Sequence, residues 1–262
     1  MSTEIQKTSV RGLLSNESVK QRFQEILKGN ASGFCANLAV MVSNSTQLLK
    51  CDPMSVVSAA VVSASLNLPL DPNLGFAAIV PFRDKATFQV MYKGLIQLAQ
   101  RSGQYKTIGV SEIYKGELIS ENRLTGEYVF DFSARESNEI IGYAAYFKLI
   151  NGFEKTVYWT VEKVKIHATK YSQTYKSGYG KWIDDFDSMA KKTVLKNLLS
   201  KWGILSIELQ RAVITDQSVI NGINEDADVE YIDNIQNVYQ AVESDNPLSI
   251  QKEEKPQEGK LL

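Results

Sequence analysis

Three lysines on one amphipathic segment have the types and spacing that point most directly to a function. Lys191, Lys192 and Lys196 lie in segment 186–206, which its apolar periodicity predicts to be a helix. Lys191 projects into the apolar stripe, and residues 189–207 include no acidic side chain. Because an unpaired ammonium in a core is unfavourable, Lys191 either extends to water or binds an external anion such as phosphate. The stripe consists of Ala190, Val194, Leu195, Leu198 and Trp202.

Charge is distributed unevenly along the 262 residues, although the formal net charge is only −1. Residues 163–201 hold nine basic and three acidic side chains, whereas residues 202–262 hold four basic and twelve acidic ones. This asymmetry is typical of a polyanion-binding core followed by an acidic tail.

A second predicted helix, over residues 88–102, has a polar face of amides and cations. Lys93, Gln97 and Arg101 lie on this face, which carries no carboxylate. Such a face suits phosphate and sugar oxygens, but plain solvation of the helix explains the same residues.

Aromatic residues are interleaved with the basic segment, and Trp159, Lys181 and Trp182 are candidate groove residues there. Basic residues interleaved with aromatic ones are typical of a groove for single-stranded nucleic acid. Aromatic residues on helices and strands also form cores, so both interpretations stay open. We expect Tyr175 and Tyr179, in a loop, to be the more exposed pair.

The sequence indicates no catalytic residue and no metal site. It has no GxxxxGK[ST], CxxC, HExxH, GxGxxG or GxSxG motif, and His167 is its one histidine. Asp184, Asp185 and Asp187 could hold Mg²⁺ for a nuclease. We favour the alternative that they cap the helix beginning near Phe186, where negative charge is stabilising.

The composition indicates a globular protein in a reducing cytoplasm. Hydrophobic residues make up 44% of the chain, and no run of 18 apolar residues predicts a membrane span. The N-terminus lacks an apolar signal segment, and the only cysteines are Cys35 and Cys51. We therefore expect a cytoplasmic protein.

Local signals predict the elements of the first half. Residues 12–50 are expected to form two short helices, and Asp52-Pro53 begins a helix that runs to about residue 66. Residues 75–87 are expected to form a hairpin turned at Arg83-Asp84.

The second half is predicted to contain most of the strands, at residues 107–114, 127–132, 140–150 and 153–159. Asn151-Gly152 is a strong hairpin signal, and Thr160 can cap a helix that reaches about residue 171. A loop is predicted at 172–181, an amphipathic piece at 231–242 and disorder at 243–262.

These elements are a helical N-terminal region, a set of helices and strands with hairpins, and a disordered acidic tail. With the distribution of charge, they indicate a basic polyanion-binding protein with an acidic tail, and no ATP-binding motif is present.

Three blocks of sequence resemble the RecT family of phage single-strand annealing proteins. They are residues 52–105, beginning DPMSVVSAAVVSASLNLPLDPNLGFAAIVPF, residues 141–160, IGYAAYFKLINGFEKTVYWT, and residues 186–206, FDSMAKKTVLKNLLSKWGILS. The blocks occur in order at plausible spacing, whereas the first fifty residues and the tail contribute little.

The resemblance implies an α+β fold, in which a small antiparallel sheet with hairpins packs against a long helix. It implies a recombination protein that anneals DNA without ATP, acts with a partner exonuclease and forms rings or helical filaments on DNA. We therefore predict three parts, comprising a helical N-terminal region at 1–50 for oligomer contact, a DNA-binding core at 51–215 and a partner-binding tail at 216–262. The resemblance also supports docking of a host single-strand binding protein by the tail. We expect no cofactor and leave open whether Mg²⁺ modulates annealing.

The predicted mechanism is a basic groove that grips backbone phosphates and leaves the base edges available for pairing. Two alternatives stay open. One is a passive protector that coats single strands without pairing them, and the other is the Mg²⁺ nuclease. The residues predicted to bind DNA are Lys93, Gln97, Arg101, Trp159, Lys181, Trp182, Lys191, Lys192 and Lys196.

Overall fold

The computed structural model describes residues 9–224 and 227–231. It confirms the predicted α+β class, because helices and small antiparallel sheets pack around one hydrophobic core. The predicted disorder at 243–262 lies outside the described residues, as does the amphipathic piece at 231–242 apart from its first residue.

Helices form the N-terminal region and most of the last third of the described chain. They are α1 (Val10–Leu14), α2 (Glu17–Leu27), α3 (Ala31–Ser43), α4 (Pro53–Ser65), α5 (Tyr92–Arg101), α6 (Val161–Tyr171), α7 (Gln173–Lys176), α8 (Lys181–Asp184), α9 (Phe186–Trp202) and α10 (Ile207–Thr215).

The strands are antiparallel throughout. One sheet has the order β1-β2-β8-β9, a second has the order β3-β6-β7, and β4 and β5 form a separate hairpin. The strands are β1 (Ala77–Phe82), β2 (Lys85–Val90), β3 (Tyr105–Tyr114), β4 (Leu118–Asn122), β5 (Glu127–Phe130), β6 (Ile140–Leu149), β7 (Glu154–Thr160), β8 (Ser218–Asn221) and β9 (Asp228–Tyr231).

Side-chain caps begin the helices where the sequence predicts them. The carboxylate of Asp52 accepts the Ser55 N–H, with Pro53 in the first turn of α4. The Thr160 hydroxyl accepts the Lys163 N–H at the start of α6. Local features of the sequence therefore determine where both helices begin.

Helix α9 is the element around which the core is organised. It packs against the β3-β6-β7 sheet on one side and against α5 on another. Ala190, Val194, Leu195 and Leu198 of the predicted stripe are fully buried, whereas Trp202 at its end is 46% exposed. The predicted apolar stripe is therefore confirmed from Ala190 to Leu198, and the buried face of α9 ends before Trp202.

The hydrophobic core is continuous from Val10 in α1 to Ile220 in β8. Helix α4 is buried along almost its whole length and packs against α1, α2 and β2. The predicted division into parts at residues 50 and 215 stays a prediction.

Some elements differ from those predicted. Residues 88–90 complete β2 instead of starting a helix, because they pair with β1. Residues 10–43 form three α-helices instead of two, and the predicted loop at 172–181 contains the short helix α7. Among the residues that the structure describes, no helix has the length and apolar character that a membrane crossing requires.

Candidate nucleic-acid interface

A cleft of about 960 Å³ lies beside the hairpin formed by β1 and β2. Its walls are this hairpin, the first turn of α5, the segment from α7 to the start of α9 and residues flanking the N-terminal helices. Residues from four separate parts of the chain meet here, so the cleft exists only in the folded protein.

Helix α5 reaches the cleft because Gly94 allows it to approach the chain just before β1. A Cβ atom at Gly94 would lie 2.2 Å from the backbone oxygen of Phe76, which is far inside van der Waals contact. This close approach brings Tyr92 and Lys93, on the first turn of α5, into the cleft wall.

Four cationic side chains line the cleft, namely Lys50, Arg83, Lys93 and Lys181. Within the described part of the chain, none of the four has a carboxylate oxygen within 4.0 Å. Asp184 and Asp185 also line the cleft, but the Asp185 carboxylate accepts the Ser188 N–H as the cap of α9. The unpaired cations make the cleft suited to an anionic ligand.

Aromatic side chains lie between these cations, namely Phe82, Tyr92, Tyr179 and Trp182. Tyr179 is 59% exposed, as predicted for this loop, whereas Tyr175 is half-buried. Trp182 is buried against Tyr175 and Phe186, so it supports the wall more than it presents a free ring face. Cations together with aromatic side chains, of which Tyr179 is the exposed one, match the composition of single-strand binding grooves.

Lys191 has an internal partner that lies far from it in the sequence. Its ammonium is 2.7 Å from the Glu112 carboxylate on β3 and 5.1 Å from the centre of the Tyr92 ring. Burial opposes ionisation of Glu112, but the Lys191 ammonium outweighs it and lowers the pKa of that carboxyl. Besides water and an external anion, which the sequence left open for Lys191, the structure thus gives it a carboxylate of β3.

Lys192 and Lys196 share the carboxylate of Asp216, with Nζ–Oδ distances of 2.7 Å for both lysines. Asp216 and Lys192 are buried, and Asp216 also accepts the Val90 N–H at the end of β2. Burial alone would raise the pKa of Asp216, but the two ammonium groups lower it. The cluster joins α9 to the junction of α10 and β8, and within it the Lys192 side chain is only 3% exposed.

Three further predicted residues make structural contacts outside the cleft lining. The Arg101 guanidinium donates to the backbone oxygens of Leu66 and Asn67, at 2.7 and 2.8 Å, and so caps the end of α4. Gln97 is half-buried, with no hydrogen-bond partner for its amide oxygen within the described residues. Trp159 is 9% exposed and contacts the His167 ring.

The acidic residues near α9 act as caps and anchors. Asp185 caps the helix, as expected, and Asp187 accepts a hydrogen bond of 2.5 Å from the Tyr143 hydroxyl. No group of three or more potential metal ligands occurs in the chain as far as the structure describes it.

The structure thus brings Lys93, Lys181 and Trp182 together from the predicted set, and it adds Lys50, Phe82 and Arg83. Arg83 lies in a turn that the sequence predicts, which is the one signal that could have drawn attention to it. Lys50 carries no local signal, because its place beside the cleft depends on packing of distant elements.

The chain matches the model of the RecT family over residues 32–231. It is 52% identical to the uncharacterized protein YqaK of Bacillus subtilis over 231 residues, which cover 87% of this chain and 80% of that protein. It is 30% identical to Protein RecT of Escherichia coli over 176 residues, which cover 64% of each chain. This chain therefore belongs to the RecT family.

Proposed function

We propose that this protein binds single-stranded DNA in the cleft and pairs complementary strands without ATP. Membership of the RecT family supports single-strand annealing and DNA recombination at the level of the family. The observation that carries the proposal for this chain is the set of four cations in one cleft, none of them paired with a carboxylate of the described residues. Aromatic side chains, of which Tyr179 is exposed, line the same cleft.

Lys50, Lys93 and Lys181 are the residues that we assign to backbone phosphates. A grip on phosphates extends the strand and reduces its repulsion of a second strand, while base edges stay available for pairing. Of the residues predicted from sequence, the proposal keeps Lys93 and Lys181 as direct contacts and Trp182 as wall support. DNA contact by the other six, Gln97, Arg101, Trp159, Lys191, Lys192 and Lys196, stays a prediction.

The proposal includes assembly of several copies on DNA, in a ring or a helical filament through a head-to-tail contact. Residues 31–49 contain no charged side chain, and Val40 and Leu49 within them are 61% and 60% exposed. This uncharged, partly apolar surface supports the N-terminal helices as one side of that contact.

Three further parts of the proposal rest on the resemblance to the family and on residues outside the described ones. They are action with a partner exonuclease, docking of a host single-strand binding protein by the acidic tail, and a cytoplasmic location in a bacterial host. The proposal requires no cofactor and leaves open whether Mg²⁺ modulates annealing.

Annealing of two labelled complementary oligonucleotides tests the proposal. Without ATP, the wild-type protein should accelerate duplex formation and leave both strands intact. The double variant with Lys93→Ala and Lys181→Ala should lose most of the acceleration. Lys148→Ala is the matched control, because Lys148 is paired with Glu154 and lies outside the cleft lining.

The same assay separates the alternatives. Strands that are bound but not paired faster would indicate a passive protector. Strands shortened in Mg²⁺ would indicate a nuclease, and Asp184→Asn, which removes an exposed carboxylate of the cleft, would then abolish the cleavage.

A further inference from the structure

Arg83 has a backbone conformation that arginine rarely adopts. It is the first of the two residues that join β1 to β2, and its φ angle is +54°. The favoured two-residue hairpin turns need a positive φ at this position, where glycine is the preferred residue. The chain thus keeps a long cationic side chain at a position that disfavours any Cβ atom.

Among the described residues, no ion pair accounts for the choice of arginine here. The Arg83 guanidinium has no carboxylate within 4.0 Å there, and it lies over the Phe82 ring, 5.4 Å from the ring centre. The Arg83 side chain is exposed and lines the cleft. A residue in a disfavoured conformation at the edge of a binding cleft is typical of a functional contact.

The position of the turn does not depend on the Arg83 side chain. The Asp52 N–H donates to the backbone oxygen of Asp84 at 2.5 Å, and the Ala86 N–H donates to the Ser55 hydroxyl at 2.8 Å. These bonds fasten the hairpin to the start of α4. Replacing the side chain should therefore leave the hairpin in place.

We propose that Arg83 is a phosphate-binding residue that the hairpin presents to the DNA strand at the expense of backbone stability. This inference rests on the proposed function and extends it from the walls of the cleft to the tip of the β1–β2 hairpin. The Phe82 ring beside the guanidinium orients it, and the planar guanidinium can bind a phosphate through two N–H groups.

The proposal predicts opposite effects of Arg83→Gly on stability and on binding. The variant should melt at the wild-type temperature or up to about 4 °C higher, because glycine relieves the positive φ. Its Kd for a thymidine oligonucleotide should rise about tenfold. The slope of log affinity against log salt concentration should become shallower by about 0.7, which corresponds to one phosphate contact on a single strand.

Lys28→Gly is the matched control. Lys28 is also an exposed cation with a positive φ, of +49°, but it lies outside the cleft lining. Its replacement by glycine likewise removes one positive charge and a side chain at a positive φ of similar size. We expect the same effect on melting, with unchanged Kd and salt slope.

Two results would overturn the inference. One is an Arg83→Gly variant that melts below the wild type, since arginine would then serve the turn itself. The other is an Arg83→Gly variant that binds the oligonucleotide like the Lys28→Gly control. If the wild type binds the oligonucleotide and mutation of Lys93 and Lys181 weakens that binding, either result rejects only the role of Arg83 and not the proposed function. A wild type that binds no single strand would reject the proposed function as well.

Discussion

The ammonium of Lys192 lies 2.7 Å from the Oδ1 atom of Asp216, and both side chains are almost completely buried. The second oxygen of the same carboxylate binds Lys196. Two lysines of α9 thereby bind Asp216, which lies just before β8. Strand β8 pairs with β2 at one position, Phe88 with Ser218, and the Gln217 N–H and Asp216 carboxylate make further bonds to the β2 backbone. The cluster of Lys192, Lys196 and Asp216 thus links α9 to the β1-β2-β8-β9 sheet in the interior of the protein.

Asp216→Asn should therefore destabilise the protein by about 3 kcal/mol or more, because it leaves two lysines around a buried site without a counter-charge. Chemical denaturation with urea measures this change. Glu154→Gln is the control, since it breaks an exposed pair with Lys148 and should change stability by no more than about 1 kcal/mol. Equal stability of the Asp216→Asn and Glu154→Gln variants would show that the cluster does not stabilise the attachment of the sheet to α9.

Local signals account for the elements that were predicted well. Asp52-Pro53, Thr160 and Asn151-Gly152 each fix a helix start or a turn through contacts within a few residues. Strand β8 has no such signal, because it exists through a pairing with β2 that spans 130 positions of the chain. Pairing over that distance depends on the packed core, which periodicity does not reveal.

The candidate site was also predicted only in part, because the partners of its residues lie far away in the sequence. The sequence shows that residues 189–207 hold no acid, which left water or an external anion as the partner of the Lys191 ammonium. The structure supplies Glu112, 79 residues away, and Asp216, 24 residues beyond Lys192. By contrast, Lys93 and Lys181 have no carboxylate partner among residues 9–224 and 227–231. Which lysines are paired and which are not is visible only in three dimensions.

Binding measurements should distinguish the lysines that line the cleft from those that pair with carboxylates of the protein. Lys93→Ala should make the log–log salt dependence of single-strand binding shallower by about 0.7, with no loss of stability. Lys191→Ala should leave the slope unchanged and lower stability, since it removes the counter-charge of the partly buried Glu112. Fluorescence anisotropy at several salt concentrations, together with thermal melting, measures both. A shallower slope for Lys191→Ala would support its predicted contact with DNA.

Gly94→Ala should destabilise the protein by about 1–3 kcal/mol, although alanine favours helices. The added Cβ would lie 2.2 Å from the Phe76 oxygen, so α5 must shift away from the hairpin. Gly33→Ala in α3 is the control, because no atom lies within 4 Å of its added Cβ. That variant should gain up to about 1 kcal/mol from helix propensity. Urea denaturation measures the stability of both variants, and we expect changes of opposite sign. A Gly94→Ala variant more stable than the wild type would contradict the close approach of α5 to Phe76.

His167 should make stability depend on pH in the weakly acidic range. Its ring packs between Trp159 and Tyr171, and burial, with smaller effects of Lys196 and Lys170, lowers its pKa from 6.5 to about 4. Below pH 6.5 the unfolded chain therefore binds a proton that the folded protein does not. Stability must fall as the pH drops from 6.5 towards 4, by about 2 kcal/mol at pH 5.

The variant His167→Gln isolates this effect, because His167 is the only histidine of the chain. The carboxyls of Glu112 and Asp216 have lowered pKa values, so they lose their stabilising charge only at lower pH. Between pH 7.5 and 5, urea denaturation should show a loss of stability for the wild type and a nearly constant value for the variant. Parallel curves would mean that the imidazole can take up its proton without leaving its place between the two rings.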